Sequence, residues 1–190
     1  MALVPAFEIG VWNAWIVMFY QFVLVGLGFL AYRASFKKGA AAVPCDKSEK
    51  TIDIVYESVF YIGVIYSIFL PLKLGTIWFY IGLPICLLGI IMYTLASVSF
   101  ATTPLAELVA KGIYRYSRHP MYASFFLMFV GVGIASASWL FLLFSAVLAV
   151  LAPPLVVPEE RFCLEKYGDS YREYMNRIPR WIGIPKFRQK

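Results

Sequence analysis

The sequence is poor in charge, and it contains a single histidine and only three cysteines. Charged residues make up 15% of the chain and hydrophobic residues 61%, which leaves too little polar surface to coat a water-soluble globule. Cys45, Cys86 and Cys163 are widely spaced and form no CxxC pair, and one histidine cannot complete a Cys/His cluster. We therefore predict three free thiols, no structural disulfide and no metal site.

Several function classes lack their sequence motifs. There is no GxxxxGK[ST], HExxH or GxSxG, which argues against nucleotide cradles and hydrolase nucleophiles of the soluble type. Residues 26–31 match GxGxxA, but no strand precedes them, so helix packing by small residues explains them better. The net charge of +6 comes with no basic stripe outside the loops and the tail. We expect no nucleic-acid partner.

Long hydrophobic stretches predict an all-α integral membrane protein. A helix needs about 20 residues to cross the ~30 Å hydrocarbon core. The run from 121 to 157 would form a single helix of roughly 55 Å, so we expect it to fold into a hairpin that turns near 135–138. We predict five transmembrane helices, at about 11–31, 54–72, 76–98, 120–135 and 138–157. The N-terminus carries Glu8 and no basic region, so we expect the first span to be retained rather than cleaved.

The distribution of basic residues supports five spans. Of the 17 Lys and Arg residues, only Lys73 then faces the opposite side from the rest. The positive-inside rule places the N-terminus outside and the C-terminus in the cytoplasm. We expect one domain over 1–190, with a cytoplasmic helical tail at 159–190. The membrane would be the cell membrane in a prokaryote and the endoplasmic reticulum in a eukaryote.

Prolines and turn residues subdivide the end of the chain. Pro153, Pro154 and Pro158 are expected to bend or end the fifth span, since proline removes a helical hydrogen-bond donor. Gly168 can end one short helix, and residues 170–173 fit a capping box that starts another. A helical stripe, more typical of packing than of chemistry, is formed by Leu164, Tyr167, Tyr171, Tyr174 and Ile178. Trp181 is expected to anchor the tail at the membrane interface.

Residues 115–122 read RYSRHPMY and contain the single histidine at the entrance to a hydrophobic run. Pro120 restricts His119 to an extended or turn geometry and suits the first turn of the fourth span. Arg115 and Arg118 present forked donors for a carboxylate or phosphate, and His119 can exchange a proton near neutral pH. Aromatic faces come from Tyr114, Tyr116 and Tyr122. The alternative is a basic juxtamembrane anchor with interfacial tyrosines.

An acidic pair, Glu159 and Glu160, follows the predicted fifth span. Such carboxylates can bind a ribose diol or an ammonium group, or they can be solvated charges at a helix start. Because the hairpin returns the chain to the face it left, we expect this pair to lie on the same side as His119.

Taken together, these segments resemble the isoprenylcysteine carboxyl methyltransferase family, whose wider group includes phospholipid N-methyltransferases. The resemblance covers roughly residues 107–183. It rests on GIYRYSRHPMY at 112–122, the hydrophobic hairpin, the acidic pair, YGDSYREY at 167–174 and the dipeptide at 179–180.

The resemblance implies an S-adenosylmethionine site between the cytoplasmic end of the hairpin and the tail, with S-adenosylhomocysteine as the product. By position, the implied cofactor-binding residues are Leu108, Val109, Tyr114, His119, Pro120, Met121, Tyr122 and Glu159. The residues implied near the acceptor are Arg118, Glu160 and Arg161. The implied reaction is methyl transfer to the C-terminal carboxylate of a prenylated cysteine or a similar lipid-like acceptor, reached from the membrane. A carboxylate needs alignment rather than a general base, so no catalytic acid or base is assigned.

One position departs from the family pattern. Eukaryotic members carry an arginine four residues before the first glutamate, where it can meet the substrate carboxylate, and this chain has Leu155 there. Either another basic residue replaces that arginine, or the acceptor is not that carboxylate. The alternatives are a phospholipid amine N-methyltransferase, a membrane NADPH reductase and a non-enzymatic membrane subunit.

Overall fold

A computed structural model describes residues 8–20, 23, 43–104 and 106–185. The described part is built of α-helices, with one isolated bridge between Asn13 and Pro71. Residues 15–20 are helical. The helices that follow are α1 (Lys47–Ser67), α2 (Ile77–Ala101), α3 (Pro120–Ala135), α4 (Trp139–Tyr167) and α5 (Asp169–Arg177), with a 3-10 turn at Gly112–Arg115.

Two helices of the described part are long and apolar enough to cross a membrane. They are α2 and α4, with a mean hydropathy of 2.1 and 2.6, and only 33% of each apolar stretch is buried inside the protein. A core helix of a soluble protein would be mostly buried, so these exposed apolar faces are typical of helices in lipid. The shorter α3 is also apolar. About half of the predicted first span, including the 26–31 stretch, lies outside the described residues, and the five-span arrangement stays a prediction.

The helical hairpin turns at the position predicted from the hydrophobic pattern. α3 ends at Ala135 and α4 begins at Trp139, after a residue with positive φ, Ala137 (φ 53). Ser138 caps α4 by accepting a hydrogen bond from the Phe141 amide at 3.2 Å. α3 and α4 are therefore antiparallel neighbours in a hairpin.

Three prolines do not end α4. The helix passes through Pro153, Pro154 and Pro158 and continues to Tyr167, so it does not stop near 157 as expected. Proline removes one donor, and the surrounding packing keeps the helix intact. The acidic pair therefore lies within α4, rather than at the start of a separate tail helix.

The tail after α4 is partly as predicted. Gly168 ends α4 with a positive φ of 56°. α5 begins directly at Asp169 with no side-chain cap, so the predicted capping box at 170–173 is wrong. The predicted apolar stripe does pack, because Tyr171, Tyr174 and Ile178 form a buried cluster. Its half-buried neighbours include Leu108, Leu164 and Tyr167.

Glycines bring α2 and α3 into close contact. A Cβ on Gly82 would lie 2.5 Å from the Gly131 carbonyl oxygen, and one on Gly89 would lie 2.6 Å from Cγ of Met128. A Cβ on Gly131 would meet the backbone of Cys86. Small residues thus let the two backbones approach, as is common between helices in membranes.

The described basic residues are concentrated at one end of the helices. Residues 43–50, 99–104, 106–119 and 159–183 meet at one end, which we call the basic end. There Arg161 contacts Glu49, and the Arg118 amide donates to the Pro179 carbonyl. Residues 8–14 and 67–76 meet the hairpin turn at the other end, where the Lys73 amide donates to the Ala135 carbonyl. All described Lys and Arg residues except Lys73 belong to segments of the basic end.

Candidate active site

Residues 115–120, which we call the RYSRHP loop, are held in place by the segment that follows α5. We call this segment, residues 178–183, the strap. The Arg118 amide donates to the Pro179 carbonyl at 3.0 Å, and the Gly183 amide donates to the carbonyl of Tyr116 at 3.0 Å. His119 ends the loop as the N-cap of α3, with Pro120 at the first helical position, as predicted. Loop and strap therefore position the histidine as one unit.

His119 lies between the two glutamates of α4. Its Nδ1 is 3.3 Å from Oε2 of Glu159, and its Nε2 is 3.1 Å from Oε1 of Glu160. The imidazole is 7% exposed. With a carboxylate at each ring nitrogen, the protonated ring can donate on both sides. The predicted meeting of the loop and the acidic pair is thus present in the structure.

Glu160 is a buried carboxylate that forms ion pairs with two arginines as well as with His119. Nη2 of Arg180 lies 2.6 Å from Oε2, and Nη1 of Arg118 lies 3.1 Å from Oε1. The Glu160 side chain is 6% exposed, so this carboxylate is almost fully withdrawn from water. Such a charge is stable in a buried position only with partners of this kind.

Glu159 is placed differently from its neighbour. Its side chain is 39% exposed, and its Oε1 accepts a hydrogen bond of 2.6 Å from the Tyr122 hydroxyl. Tyr122 and His119 thus hold the carboxylate from one side and leave the rest of it accessible. An oriented and accessible carboxylate can bind the hydroxyl, ammonium or sulfonium groups of a ligand.

The pKa of His119 is raised above its ordinary value. Burial alone lowers the pKa, but the hydrogen bonds and charges of Glu159 and Glu160 outweigh burial. A raised pKa in the folded state means that the protonated ring stabilises the fold. This contribution is fully present below the unfolded value of 6.5 and is lost as the pH rises through the folded value.

Replacing His119 with glutamine should therefore cost more stability at about pH 6 than at about pH 9, because only the protonated ring pairs fully with both carboxylates. Thermal unfolding of the purified protein and the variant at a series of pH values measures the difference. Since the chain has one histidine, its ring signals in an NMR titration give the folded pKa directly. A ring that titrates below 6.5 would contradict the assigned pairing.

An apolar cavity of about 400 Å³ opens beside Tyr122. It runs along α3 as far as Leu127 and along α4 from Ala152 back to Leu148. Its other lining residues are Tyr56, Ala123, Phe126, Ala149, Trp181 and Ile182. A larger cavity of about 590 Å³ lies at the opposite end, among residues 9–19 and 64–68, away from the predicted site. The smaller cavity is connected to the site through Tyr122, which lines it and donates a hydrogen bond to Glu159.

The structure brings some of the predicted site residues together and leaves others apart. His119, Tyr122 and Glu159 form one cluster with Arg118 and Glu160.

Other predicted residues surround this cluster or lie away from it. Pro120 is buried, Met121 is half-buried and the backbone of Tyr114 accepts from the Tyr174 hydroxyl at 2.7 Å. Leu108 packs on the tail cluster instead of the cavity, and Val109 is half-buried in the connection before the 3-10 turn.

Arg161 does not face the cluster. Its guanidinium donates to both carboxylate oxygens of Glu49, at 3.0 and 2.9 Å, and to the Pro44 carbonyl at 2.9 Å. It ties the start of α1 to α4. The predicted place of Arg161 near the acceptor stays a prediction.

Sequence reasoning missed the contribution of the strap. Arg180 pairs with Glu160, and Trp181 lines the cavity with its ring 6.3 Å from that of His119. The expected role of Trp181 as an anchor at the membrane interface stays a prediction. The only signal for Arg180 was its place at the end of the resembling segment. Tyr56, whose ring is 5.9 Å from that of Tyr122, lies on a helix outside that segment and gave no signal.

Comparison with known proteins gives a family match and several curated relatives. The phospholipid methyltransferase family matches residues 72–170, just over half of the chain. Protein-S-isoprenylcysteine O-methyltransferase of Schizosaccharomyces pombe is 38% identical over 79 residues, which are 41% of this chain and 33% of the relative. The enzyme of the same name from Dictyostelium discoideum is 33% identical, over 41% of this chain and 32% of the relative.

A relative with a different acceptor is similar over a shorter segment. Methanethiol S-methyltransferase 1 of Bradyrhizobium diazoefficiens is 33% identical over 66 residues, which are 35% of this chain and 22% of the relative. The chain thus matches about a third or less of the length of each of these curated relatives.

Proposed function

Because the chain belongs to the phospholipid methyltransferase family, we propose that it transfers a methyl group from S-adenosylmethionine to a lipid-like acceptor. The observation that carries this proposal is the accessible carboxylate of Glu159. It is oriented by Tyr122 and His119, and Tyr122 also lines an apolar cavity. A polar site for the donor and an apolar site for the acceptor are then adjacent.

The residues at this site fit the chemistry of S-adenosylmethionine. Glu159 is an accessible anion, and the rings of Tyr56, Tyr122 and Trp181 line the adjoining cavity, which suits a sulfonium cation. The side chain of Arg118 is 10% exposed, and its Nε is buried without a hydrogen-bond partner, so it can still donate to a ligand carboxylate. The carboxylate and the aromatic faces suit the cationic groups of S-adenosylmethionine, and the arginine suits its carboxylate.

When bound, S-adenosylmethionine supplies an electrophilic methyl group on a positively charged sulfur. The task of the protein is to hold the two reactants in line and to keep water out. Glu159 binds the donor, with Tyr122 and His119 fixing the direction of its carboxylate. Glu160 holds His119 and Arg180 in place, so it acts as a positioning residue.

The apolar cavity provides the place for the acceptor. By their names, the relatives act on an isoprenylcysteine or on methanethiol. A prenyl or acyl chain suits the aliphatic part of the cavity, between Phe126 and Leu148. A prenylcysteine carboxylate and a phospholipid amine are both candidate acceptors. We place the site on the cytoplasmic side of the membrane, because all described Lys and Arg residues except Lys73 lie at this end.

Incubation of the purified protein with methyl-labelled S-adenosylmethionine and a panel of lipid-like acceptors tests the proposal. We expect labelled product, and we expect Tyr122→Phe to lower kcat/KM by about 10- to 100-fold, since it loses a hydrogen bond to a charged group worth about 1.5–3 kcal/mol. Tyr61→Phe, at an exposed position on α1, is the matched control. Absence of transfer to every acceptor, together with absence of S-adenosylhomocysteine binding, would remove the proposed function.

A further inference from the structure

The start of α1 is fixed to α4 by hydrogen bonds that converge on Glu49. Both carboxylate oxygens of Glu49 accept from the Arg161 guanidinium, at 3.0 and 2.9 Å. The same carboxylate accepts from the Asp46 amide at 2.9 Å, while the Asp46 side chain accepts from the Glu49 amide at 2.8 Å, which completes a capping box. Arg161 also donates to the Pro44 carbonyl at 2.9 Å. One guanidinium therefore joins α4 to the first turn of α1 and to the segment before it.

Arg161 belongs to the turn of α4 that carries the site carboxylates. It follows Glu160 directly and is the second residue after Glu159. An arginine that pairs with a carboxylate through two hydrogen bonds has a fixed geometry as well as a favourable energy. Glu49 lies outside residues 72–170, the part of the chain that matches the family. The pair therefore sets the position of α1 relative to the matched part, at the level of the candidate site.

Aromatic packing attaches α1 at a second point, nearer its middle. The Phe60 ring lies 5.4 Å from the ring of Phe125 and 5.5 Å from the ring of Phe129, both on α3. At Gly63 the helix is so close to Phe129 that an added Cβ would lie 2.6 Å from Cε1 of that ring. α1 is thus attached to α4 at its start and to α3 about three turns further on.

Tyr56 lies between these two attachments on the same face of α1. Glu49, Tyr56 and Phe60 recur at intervals of seven and four residues, which is the spacing of one helical face. Tyr56 is buried, meets the Tyr122 ring edge-on at 5.9 Å and lines the same cavity. Because Tyr122 donates a hydrogen bond to Glu159, the position of α1 affects the candidate donor site through two aromatic side chains.

We propose that Arg161 is a positioning residue for the donor site. Through Glu49 it holds the first turns of α1 in place and so keeps Tyr56 packed against Tyr122. This role rests on the proposed binding of S-adenosylmethionine by Glu159, and it requires no contact between Arg161 and a ligand. A helix attached only near its middle can move at its free end, whereas two attachments on one face fix its direction. Without the pair, Tyr122 loses a fixed neighbour, and the carboxylate that it orients is held less firmly.

Calorimetric titration with S-adenosylmethionine, in the absence of any acceptor, measures the effect on the donor site. We expect Arg161→Met to weaken binding by about three- to tenfold, since it removes the charge and the hydrogen bonds but keeps a long side chain. Arg161→Lys keeps the charge without the fork and should recover part of the loss. The matched control is Arg172→Met, which removes an exposed arginine from its pair with Asp169 and should leave the dissociation constant unchanged.

Hydrogen exchange followed by mass spectrometry tests the position of α1 without any ligand. We expect Arg161→Met to speed amide exchange in peptides from residues 47–56 by about three- to tenfold and to leave peptides from residues 120–135 unchanged. In Arg161→Lys the rate for residues 47–56 should lie between those of the natural protein and Arg161→Met. Arg172→Met should change neither region.

A double substitution tests whether Arg161 acts through Tyr56. Tyr56→Leu removes the ring and should itself weaken the binding of S-adenosylmethionine by about three- to tenfold. Adding Arg161→Met to Tyr56→Leu should then weaken binding by less than about twofold more, because the ring that the pair positions is already absent. If the two losses add in full, Arg161 does not act through Tyr56 and the inference is overturned. If Tyr56→Leu does not fold, the titration and the exchange of the Arg161 variants decide alone.

Two outcomes separate the positioning role from the function on which it rests. Unchanged binding of S-adenosylmethionine in Arg161→Met, or unchanged exchange of residues 47–56, would overturn the positioning role and leave the donor site in place. If the natural protein binds neither S-adenosylmethionine nor S-adenosylhomocysteine, the proposed function is wrong and the positioning role is lost with it.

Discussion

Replacing Glu159 with glutamine should weaken the binding of both S-adenosylmethionine and S-adenosylhomocysteine by about 10- to 100-fold. A hydrogen bond to a charged group contributes about 1.5–3 kcal/mol, and each 1.4 kcal/mol corresponds to a factor of ten in affinity. Glutamine keeps the size of the side chain and an oxygen for the Tyr122 hydroxyl, so the fold is retained while the charge is removed.

Calorimetric titration of the purified protein with S-adenosylhomocysteine measures this loss. Glu165→Gln is the matched control, since Glu165 is an exposed glutamate on the same helix, and it should leave the dissociation constant unchanged. Equal affinities for the natural protein and Glu159→Gln would exclude Glu159 from the donor site.

Replacing Glu160 with alanine should produce the largest loss of stability, about 3–5 kcal/mol, because it breaks buried ion pairs by removing one partner. The remaining charges of Arg118 and His119 would be left in positions that are 10% and 7% exposed. For a chain of this length, each kcal/mol lowers the unfolding midpoint by roughly 2–4 °C, so we expect a decrease of about 6–20 °C.

Thermal unfolding in detergent compares Glu160→Ala with Glu165→Ala, which removes an exposed carboxylate from the same helix. Adding Arg118→Met to Glu160→Ala should recover part of the loss, since an apolar side chain replaces the unpaired buried charge. The buried-pair account is wrong if Glu160→Ala lowers stability no more than Glu165→Ala does. It is also wrong if adding Arg118→Met restores no stability.

The local elements near the site were predictable because their signals lie in short stretches of sequence. Pro120 fixes the start of α3 through its ring geometry, and Gly168 ends α4 by adopting a positive φ that other residues avoid. The turn at 136–138 follows from length, since the apolar run is too long for one crossing. The meeting of His119 with the acidic pair then follows from the hairpin.

The path of α4 beyond residue 157 was not predictable from local rules. A proline inside a helix is unfavourable by itself, and three of them suggested a bend or an end. In the structure, Val156, Pro158 and Glu160 are buried, so tertiary packing and the pairs of Glu160 stabilise these turns of the helix. The low helix propensity of proline is overridden there by tertiary contacts that the sequence alone does not reveal.

The partner of Glu160 was also hidden from sequence reasoning. Arg180 reaches the site only because the strap is hydrogen-bonded to the RYSRHP loop, some 60 residues earlier in the chain, for example from the His119 amide to the Arg180 carbonyl at 3.3 Å. Such non-local pairing has no periodic signal. The same holds for the bond between Arg161 and Glu49, which joins residues more than 100 positions apart.

Photolabelling with methyl-labelled S-adenosylmethionine, followed by peptide mapping, tests most directly whether loop, helix end and strap form one donor site. Aromatic rings beside the bound donor are the expected points of attachment. We predict label, displaced by S-adenosylhomocysteine, on peptides that contain Tyr122 or Trp181, and much less label in Glu159→Gln. Displaceable label confined to residues 8–20 or 64–76, at the opposite end of the helices, would contradict this account.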